Sequence, residues 1–368
     1  MPFAPKYTIT PKILQAISSI EISRHEIIVL PITASMIASL RESARLASTH
    51  HSTAIEGNRL TSAEVSEVIK GGAHFPNRKK DENEVRNYYK ALEIMEELAR
   101  NSDLIKENDI KLLHGISFEG CTQPTPYRDG QNAIKSGRLI VYIPPKAKDV
   151  PPLMADLVKW INDSVKEDIP IPFIAGLAHY QFATIHPYYD ENGRTARLFA
   201  TLILHKYGYA LKGIYSLEEY YARNLQAYYN ALTVGSDEDY YEGHREGADL
   251  TGFLEYFVLG MANSFDKVRL QAEKGHRNGD IDQSPLLRNL SPQQRQVLKL
   301  FLSTHKVSAK DIVHFFHLND RQARYLCHKW VKEGFLEISD PAAKTRKYRL
   351  SEKYEALIRT HLDKTPSL

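Results

Sequence analysis

At 368 residues, with 42% hydrophobic and 25% charged residues, the chain has the composition of a soluble globular protein rather than a disordered one, and its length predicts two or three domains. No run of about 18 apolar residues predicts a membrane span, the opening MPFAPKYTITPK lacks an export-signal pattern, and the two cysteines, Cys121 and Cys327, lack metal-type spacing; a cytoplasmic protein without a disulfide framework is expected. The net charge of +3 is uneven, because Leu290 onward carries 15 Lys/Arg against 8 Asp/Glu, a surplus of +7 that leaves residues 1–289 at −4.

Helical spacing dominates the first 270 residues. Ile13, Leu14, Ile17 and Ile20 predict one apolar stripe, and Met36, Ile37, Leu40 and Ala44 a second, on a helix that runs to Glu56 and stops at Gly57-Asn58. Thr61 with Glu64 predicts a capping box that opens a short helix, which Gly71-Gly72 ends. Further helices are expected around 82–100, 108–118, 150–164, 172–185, 192–207, 217–232 and 250–272. The stretch QNAIKSGRLIVYIPP, residues 131–145, predicts instead a β-hairpin, whose open edge could pair with an extended peptide. Residues 273–290 are polar and rich in Gly, Asn and Asp, as a linker would be.

Beyond the linker, three helices with caps near Ser291, Ser308 and Asn319 precede two strands, FLEIS and RKYRL, around the turn DPAAKT, and Gly334 ends the third helix. This order predicts a winged helix. Arg321, Arg324, Lys329, Lys344, Arg346 and Lys347 could meet DNA phosphates there. Dimerisation or docking of another protein suits the same module equally, so DNA binding and a homodimer both stay open.

The densest chemistry is IHPYYDENGRTARLF, residues 185–199. Pro187 denies a helical continuation, which leaves His186 at a helix end, and a second helix opens near Asn192. Free N–H groups at that opening, with Gly193 allowing close approach and Arg194 and Arg197 three residues apart, suit a polyphosphate. Asp190 beside such a site requires an intervening cation, for which Mg²⁺ is the natural choice. His186 is the group able to take a proton from a hydroxyl near neutral pH. Capping by Asp190 and solvation of the arginines would account for each residue alone, but not for their joint spacing.

This motif resembles the signature of the Fic (filamentation induced by cAMP) family, H-P-F-x-D/E-G-N-G-R-x-x-R, matching at His186, Pro187, Asp190, Asn192, Gly193, Arg194 and Arg197. Tyr188 stands where the signature has Phe, and Glu191 stands where it has Gly, adding a carboxylate beside the phosphate loop. The resemblance implies an all-α fold with a flap hairpin, and transfer of AMP from ATP to a Ser, Thr or Tyr hydroxyl of a protein. On that pattern His186 is the base, Asp190 the Mg²⁺ ligand, and Glu56, Asn192, Gly193, Arg194, Thr195, Ala196, Arg197, Leu198 and Tyr229 lie against ATP. The hairpin 131–145 is similar to the family's flap, on which a target docks. STAIEG, with Ser52, Glu56 and Gly57, resembles the family's inhibitory S/T-x-x-x-E-G/N, in which Glu56 pairs with Arg197 and takes the place of the terminal phosphate. Within the family the same glutamate can serve AMP removal, and relatives transfer phosphate or phosphocholine. A nucleotide-sensing DNA-binding regulator is the alternative of a different class.

The expected organisation is therefore N-terminal helices with the inhibitory element over 1–105, a Fic core over 106–272, a linker over 273–290, a winged helix over 291–352 and a tail over 353–368.

Overall fold

The computed structural model describes residues 3–30, 32, 34–101, 104–136, 139–234, 239–241, 245–277, 290–301, 304–340 and 346–355. Two compact units emerge, Met1–Ile32 with Met36–Asn278 and Thr33–Ser35 with Gly279–Leu368.

The first unit is helical. Its elements are α1 (Pro11–Val29), α2 (Ala34–Ile55), α3 (Ser62–Lys70), α4 (Lys79–Asn101), α5 (Glu107–Glu119), the hairpin strands β1 (Ile134–Ser136) and β2 (Leu139–Tyr142), α6 (Val150–Lys166), α7 (Ile171–Ile185), α8 (Asn192–Lys206), α9 (Glu218–Arg223), α10 (Leu225–Leu232) and α11 (Thr251–Arg277). The middle is α7. Residues from Pro172 to Ile185 are buried almost without exception, so this helix is apolar on all sides and has neighbours all round, with α6, α8 and α11 packed against it. Burial on α1 follows Ile13, Ala16, Ile20, Ser23 and Ile27, facing α11. Leu14 was expected on that stripe but is 61% exposed, since it lies about 100° around the helix from Ile13.

Local rules fix the boundaries. The Thr61–Glu64 capping box forms in full. Helix α2 ends one residue before Glu56, and Gly57 follows in a left-handed conformation, φ 92°. Where one helix was expected over 217–232 there are two, because Asn224 leaves helical geometry and turns its side-chain oxygen to accept the Ala227 N–H, opening α10. In the hairpin Ser136 pairs with Leu139 and Lys135 with Ile140; the turn residues 137 and 138 lie outside the described residues. The expected linker also lies mostly outside them, although α11 continues to Arg277 and takes up its first five residues.

The second unit runs α12 (Pro292–Phe301), β3 (Val307–Ser308), α13 (Ala309–Phe316), α14 (Asp320–Lys332), β4 (Leu336–Asp340) and β5 (Lys347–Leu350). This is the helix and strand order expected of a winged helix, with one strand more than the sequence suggested. The two-residue β3 is too short to show periodicity, yet it joins an antiparallel sheet in the order β3-β5-β4. Val297, Phe301, Ile312, Cys327, Trp330, Phe335 and Tyr348 form a core of its own. Capping boxes at Ser308–Asp311 and Asn319–Gln322 open α13 and α14, and Gly334 at φ 70° follows α14. Lys344 and the turn 341–345 lie outside the described residues, as do the last thirteen of the expected tail.

Candidate functional site

Helix α7 delivers His186 to its own C-terminus. The His186 backbone is left-handed, φ 51° and ψ 59°, and its N–H donates to Phe182 O at 3.0 Å. Histidine is one of the few residues besides glycine that enters this region, and Pro187 then prevents another helical turn. The Nδ1 atom lies 3.3 Å from Ala183 O. A carbonyl only accepts, so Nδ1 carries the proton and Nε2 presents its lone pair. Burial holds the imidazole pKa down at about 4, the Ala183 contact opposing it, so the ring is neutral at pH 7.

The loop after His186 is shaped by its own polar residues. Asn192 accepts the Tyr188 N–H at 3.0 Å and donates to Tyr188 O at 2.9 Å, closing the turn that starts α8. Its amide therefore staples the loop, and what it can offer a phosphate is its backbone N–H. Two further segments, 128–130 and α5, hold the loop from outside. Buried Arg128 donates through Nε to His186 O at 2.9 Å and through Nη1 to Gly130 O at 3.0 Å, while its backbone N–H reaches Pro187 O at 2.9 Å. Tyr189 donates to Asp129 Oδ1 and accepts the Gly130 N–H, both at 2.7 Å. Tyr188 stacks on His114, centroids 3.5 Å apart and planes 11° apart, so the exchange of Phe for Tyr keeps an aromatic plate in place. None of Arg128, Asp129 and His114 stood out in the sequence; isolated polar residues far from the motif carry no periodic signal.

Asp190 is exposed, and its Oδ1 accepts the Glu191 N–H at 2.8 Å. It does not cap α8, whose N-cap residue is Glu191. Among the described residues no cluster of three or more metal-type ligands occurs. One accessible carboxylate beside an anion site fits Mg²⁺ bound jointly with substrate phosphates, not a cation caged by protein.

The first turn of α8 carries N–H groups without intrahelical partners. Above it lies Glu56. A Cβ on Gly193 would stand 2.2 Å from Glu56 Oε1, so only glycine admits this carboxylate. The same oxygen accepts from Arg197 Nη2 at 2.9 Å, and Ser52 completes the grip, its Oγ accepting from Nε and its carbonyl from Nη2, each at 2.9 Å. The Arg197 side chain is only 1% exposed. Burial pulls its pKa down, but Glu56 together with Tyr228 and Tyr88 outweighs burial and the guanidinium is held above its ordinary value. Tyr229 donates from its hydroxyl to Ile55 O at 3.4 Å, beside the same helix end. Behind α2, buried Glu218 accepts from Ser48 Oγ at 2.8 Å and Tyr88 OH at 3.1 Å.

Arg194 points elsewhere. It pairs with Glu191, whose other oxygen accepts from Ser117 Oγ at 3.0 Å, and its Nη1 lies 3.5 Å from Glu84 Oε2. Burial pushes the Glu191 carboxyl up to about 7 against the pull of Arg194. The Ala196 and Leu198 side chains enter the core and Thr195 is fully buried, so contact with a nucleotide there would fall to backbone. Thus His186, Asp190, Gly193, Arg197, Ser52, Glu56 and Tyr229 converge at one helix opening, while Arg194 is turned into a carboxylate clamp.

Residues 104–204 match the Fic/DOC family model. The chain carries a Fic domain. Among curated relatives, protein adenylyltransferase fic-1 of Caenorhabditis elegans is 29% identical over 178 residues, covering 47% of this chain and 34% of that protein. Protein adenylyltransferase Fic of Drosophila melanogaster is 28% identical over 163 residues, covering 44% and 32%. The aligned part spans about a third of the length of these curated relatives. A Fic family protein from Desulfovibrio desulfuricans G20 has a similar crystal structure, with a TM-score of 0.64 and 25% identity over 95% of this chain and 99% of that one. The Fic domain thus encloses α5 to α8 and the hairpin between them, and Glu56 reaches it from outside the matched range.

Proposed function

We propose that this chain transfers AMP from ATP to a hydroxyl of a protein and is restrained by Glu56. The single observation that carries the reading is the convergence of a neutral His186 and the α8 opening, with Glu56 seated between Gly193 and Arg197. In the reaction His186 Nε2 takes the proton of the target hydroxyl as its oxygen bonds to the α-phosphorus. The bond from that phosphorus to the bridging oxygen breaks, and pyrophosphate leaves with the electron pair. Mg²⁺, held through Asp190 and the phosphates, would neutralise charge on the leaving group. The α8 N–H groups and a released Arg197 would hold the phosphates, with Tyr229 beside the nucleoside.

The target would lie along the hairpin. Leu139, Ile140 and Val141 are exposed in succession on β2, offering backbone pairing and apolar contact. Glu56 acts by occupying the arginine that a terminal phosphate needs. Incubating the Glu56→Gly protein with Mg²⁺ and α-labelled ATP, then weighing the adduct on the protein or on lysate targets, tests this. AMP addition that disappears in His186→Ala supports the reading; a phosphate or phosphocholine mass would redirect it to another transfer, and label lost from a modified protein would assign removal.

A second activity is favoured by α14, where Arg321, Arg324, Tyr325, His328 and Lys329 are all exposed on one helix. That face suits duplex DNA, with arginines on phosphates or guanine edges. Sequence-selective, salt-sensitive binding that persists in His186→Ala would support it; binding unaffected by Arg321→Ala and Arg324→Ala would refute it.

A further inference from the structure

We infer that Glu191 is a second restraint on the nucleotide loop, acting on Arg194 as Glu56 acts on Arg197, and independent of the inhibitory helix. This rests on the nucleotide site proposed above. The backbone of Glu191 is left-handed, φ 61° and ψ 10°, a conformation that glycine adopts at no steric cost and glutamate does not. Its side chain is nevertheless ordered inward, 4% exposed, with one oxygen on Arg194 and the other on Ser117 of α5. A carboxylate is therefore kept at a costly position, with one oxygen on the cationic side of the phosphate loop and the other anchored to α5.

The clamp reaches further. Glu84 of α4, 3.5 Å from Arg194 Nη1, also accepts from Asn58 Nδ2 at 2.9 Å, just past the end of the inhibitory helix. Arg194 thus faces two carboxylates in a pocket where its Nε and Nη1 find no hydrogen-bond partner among the described residues. The guanidinium is held by charge with part of its donor capacity unused, so a phosphate able to accept from those donors can compete for it. Because Arg194 and Arg197 answer to different carboxylates, freeing one leaves the other occupied. Loss of Glu56 alone would then yield a loop still half restrained.

The experiment uses the full chain as parent, Glu56→Gly, Glu191→Gln and Glu56→Gly/Glu191→Gln, with ATP affinity measured calorimetrically with and without Mg²⁺, and KM and kcat for AMP transfer. Glutamine keeps the backbone and length while removing charge. In the Glu56→Gly background it is expected to tighten ATP binding and lower KM about tenfold with kcat nearly unchanged, and the two gains should multiply. A role in folding alone would lower the melting temperature without lowering KM. Glu191→Gly separates backbone from charge: a gain in Gly absent from Gln assigns the effect to the left-handed backbone and overturns the proposal. Unchanged or weaker binding in a folded Gln variant overturns it too. If Glu56→Gly itself binds no ATP, the nucleotide site fails, which is a different outcome from an inert Glu191.

Discussion

The loop between α7 and α8 and the exposed face of α14 both concentrate arginine, yet they treat it in opposite ways. At the loop Arg194 and Arg197 are 6% and 1% exposed; Arg194 faces Glu191 of the loop itself and Glu84 of α4, and Arg197 faces Glu56 from the end of α2. On α14 Arg321 and Arg324 are exposed, and nearby Lys329 has only a 3.9 Å approach to Glu333. A buried charge cannot be left alone, so on the proposed reading the anion beside it sets the state of the site: glutamate at rest, phosphate when working. An exposed charge keeps its water and needs no partner. Its value lies in long-range attraction, which salt erodes. On the proposed reading the same residue type would serve as a switch contact in one unit and as a steering surface in the other.

Predictions that would break or sharpen this contrast follow in order of size. His186→Ala should abolish transfer, with a loss on the order of 10² to 10⁴ in kcat if the imidazole is the base, read by label incorporation in the Glu56→Gly background. Residual transfer near the parental rate would place the proton elsewhere. Low pH comes next, because burial depresses His179 to about 3 and His205 to about 4, below the roughly 6.5 of an unfolded chain. Below that value the unfolded chain binds more protons, so this stability is complete above pH 6.5 and is lost as pH falls toward 4. Each ring, His179 fully buried and His205 partly buried, then costs on the order of 2 kcal/mol at pH 5, and the melting temperature should drop by roughly 5 °C or more between pH 7 and 5. A flat profile would contradict the burial of neutral rings. On the exposed side, Arg321→Ala with Arg324→Ala should reduce the slope of log affinity for DNA against log salt by about 2, with little change in melting temperature. A large loss of stability would mean that these arginines are structural after all.

What could be read beforehand depended on sequence distance. The motif from His186 to Arg197 stood out because its polar residues lie within twelve positions, and the contact of Glu56 with Arg197 could be expected only through that context. Helices with strong caps or long stripes were placed to within a few residues, as at Thr61 and over α4, α7 and α8. Leu14 failed because a short run of apolar residues does not fix the phase of a helix. β3 failed because two residues have no period. Partners across the fold were invisible: Arg128 clamps His186 from 58 positions away and Glu84 reaches Arg194 from α4, contacts that only packing creates. Glu191 was visible as a departure from the motif, but its pairing with Arg194 and Ser117 was not.

The central claim, that Glu56 and a nucleotide phosphate compete for Arg197, is tested most directly by titrating ATP with Mg²⁺ into the parent and Glu56→Gly proteins by calorimetry. About hundredfold tighter binding to Glu56→Gly, equivalent to about 2.7 kcal/mol, is the predicted result. Equal affinity in two folded proteins would contradict it.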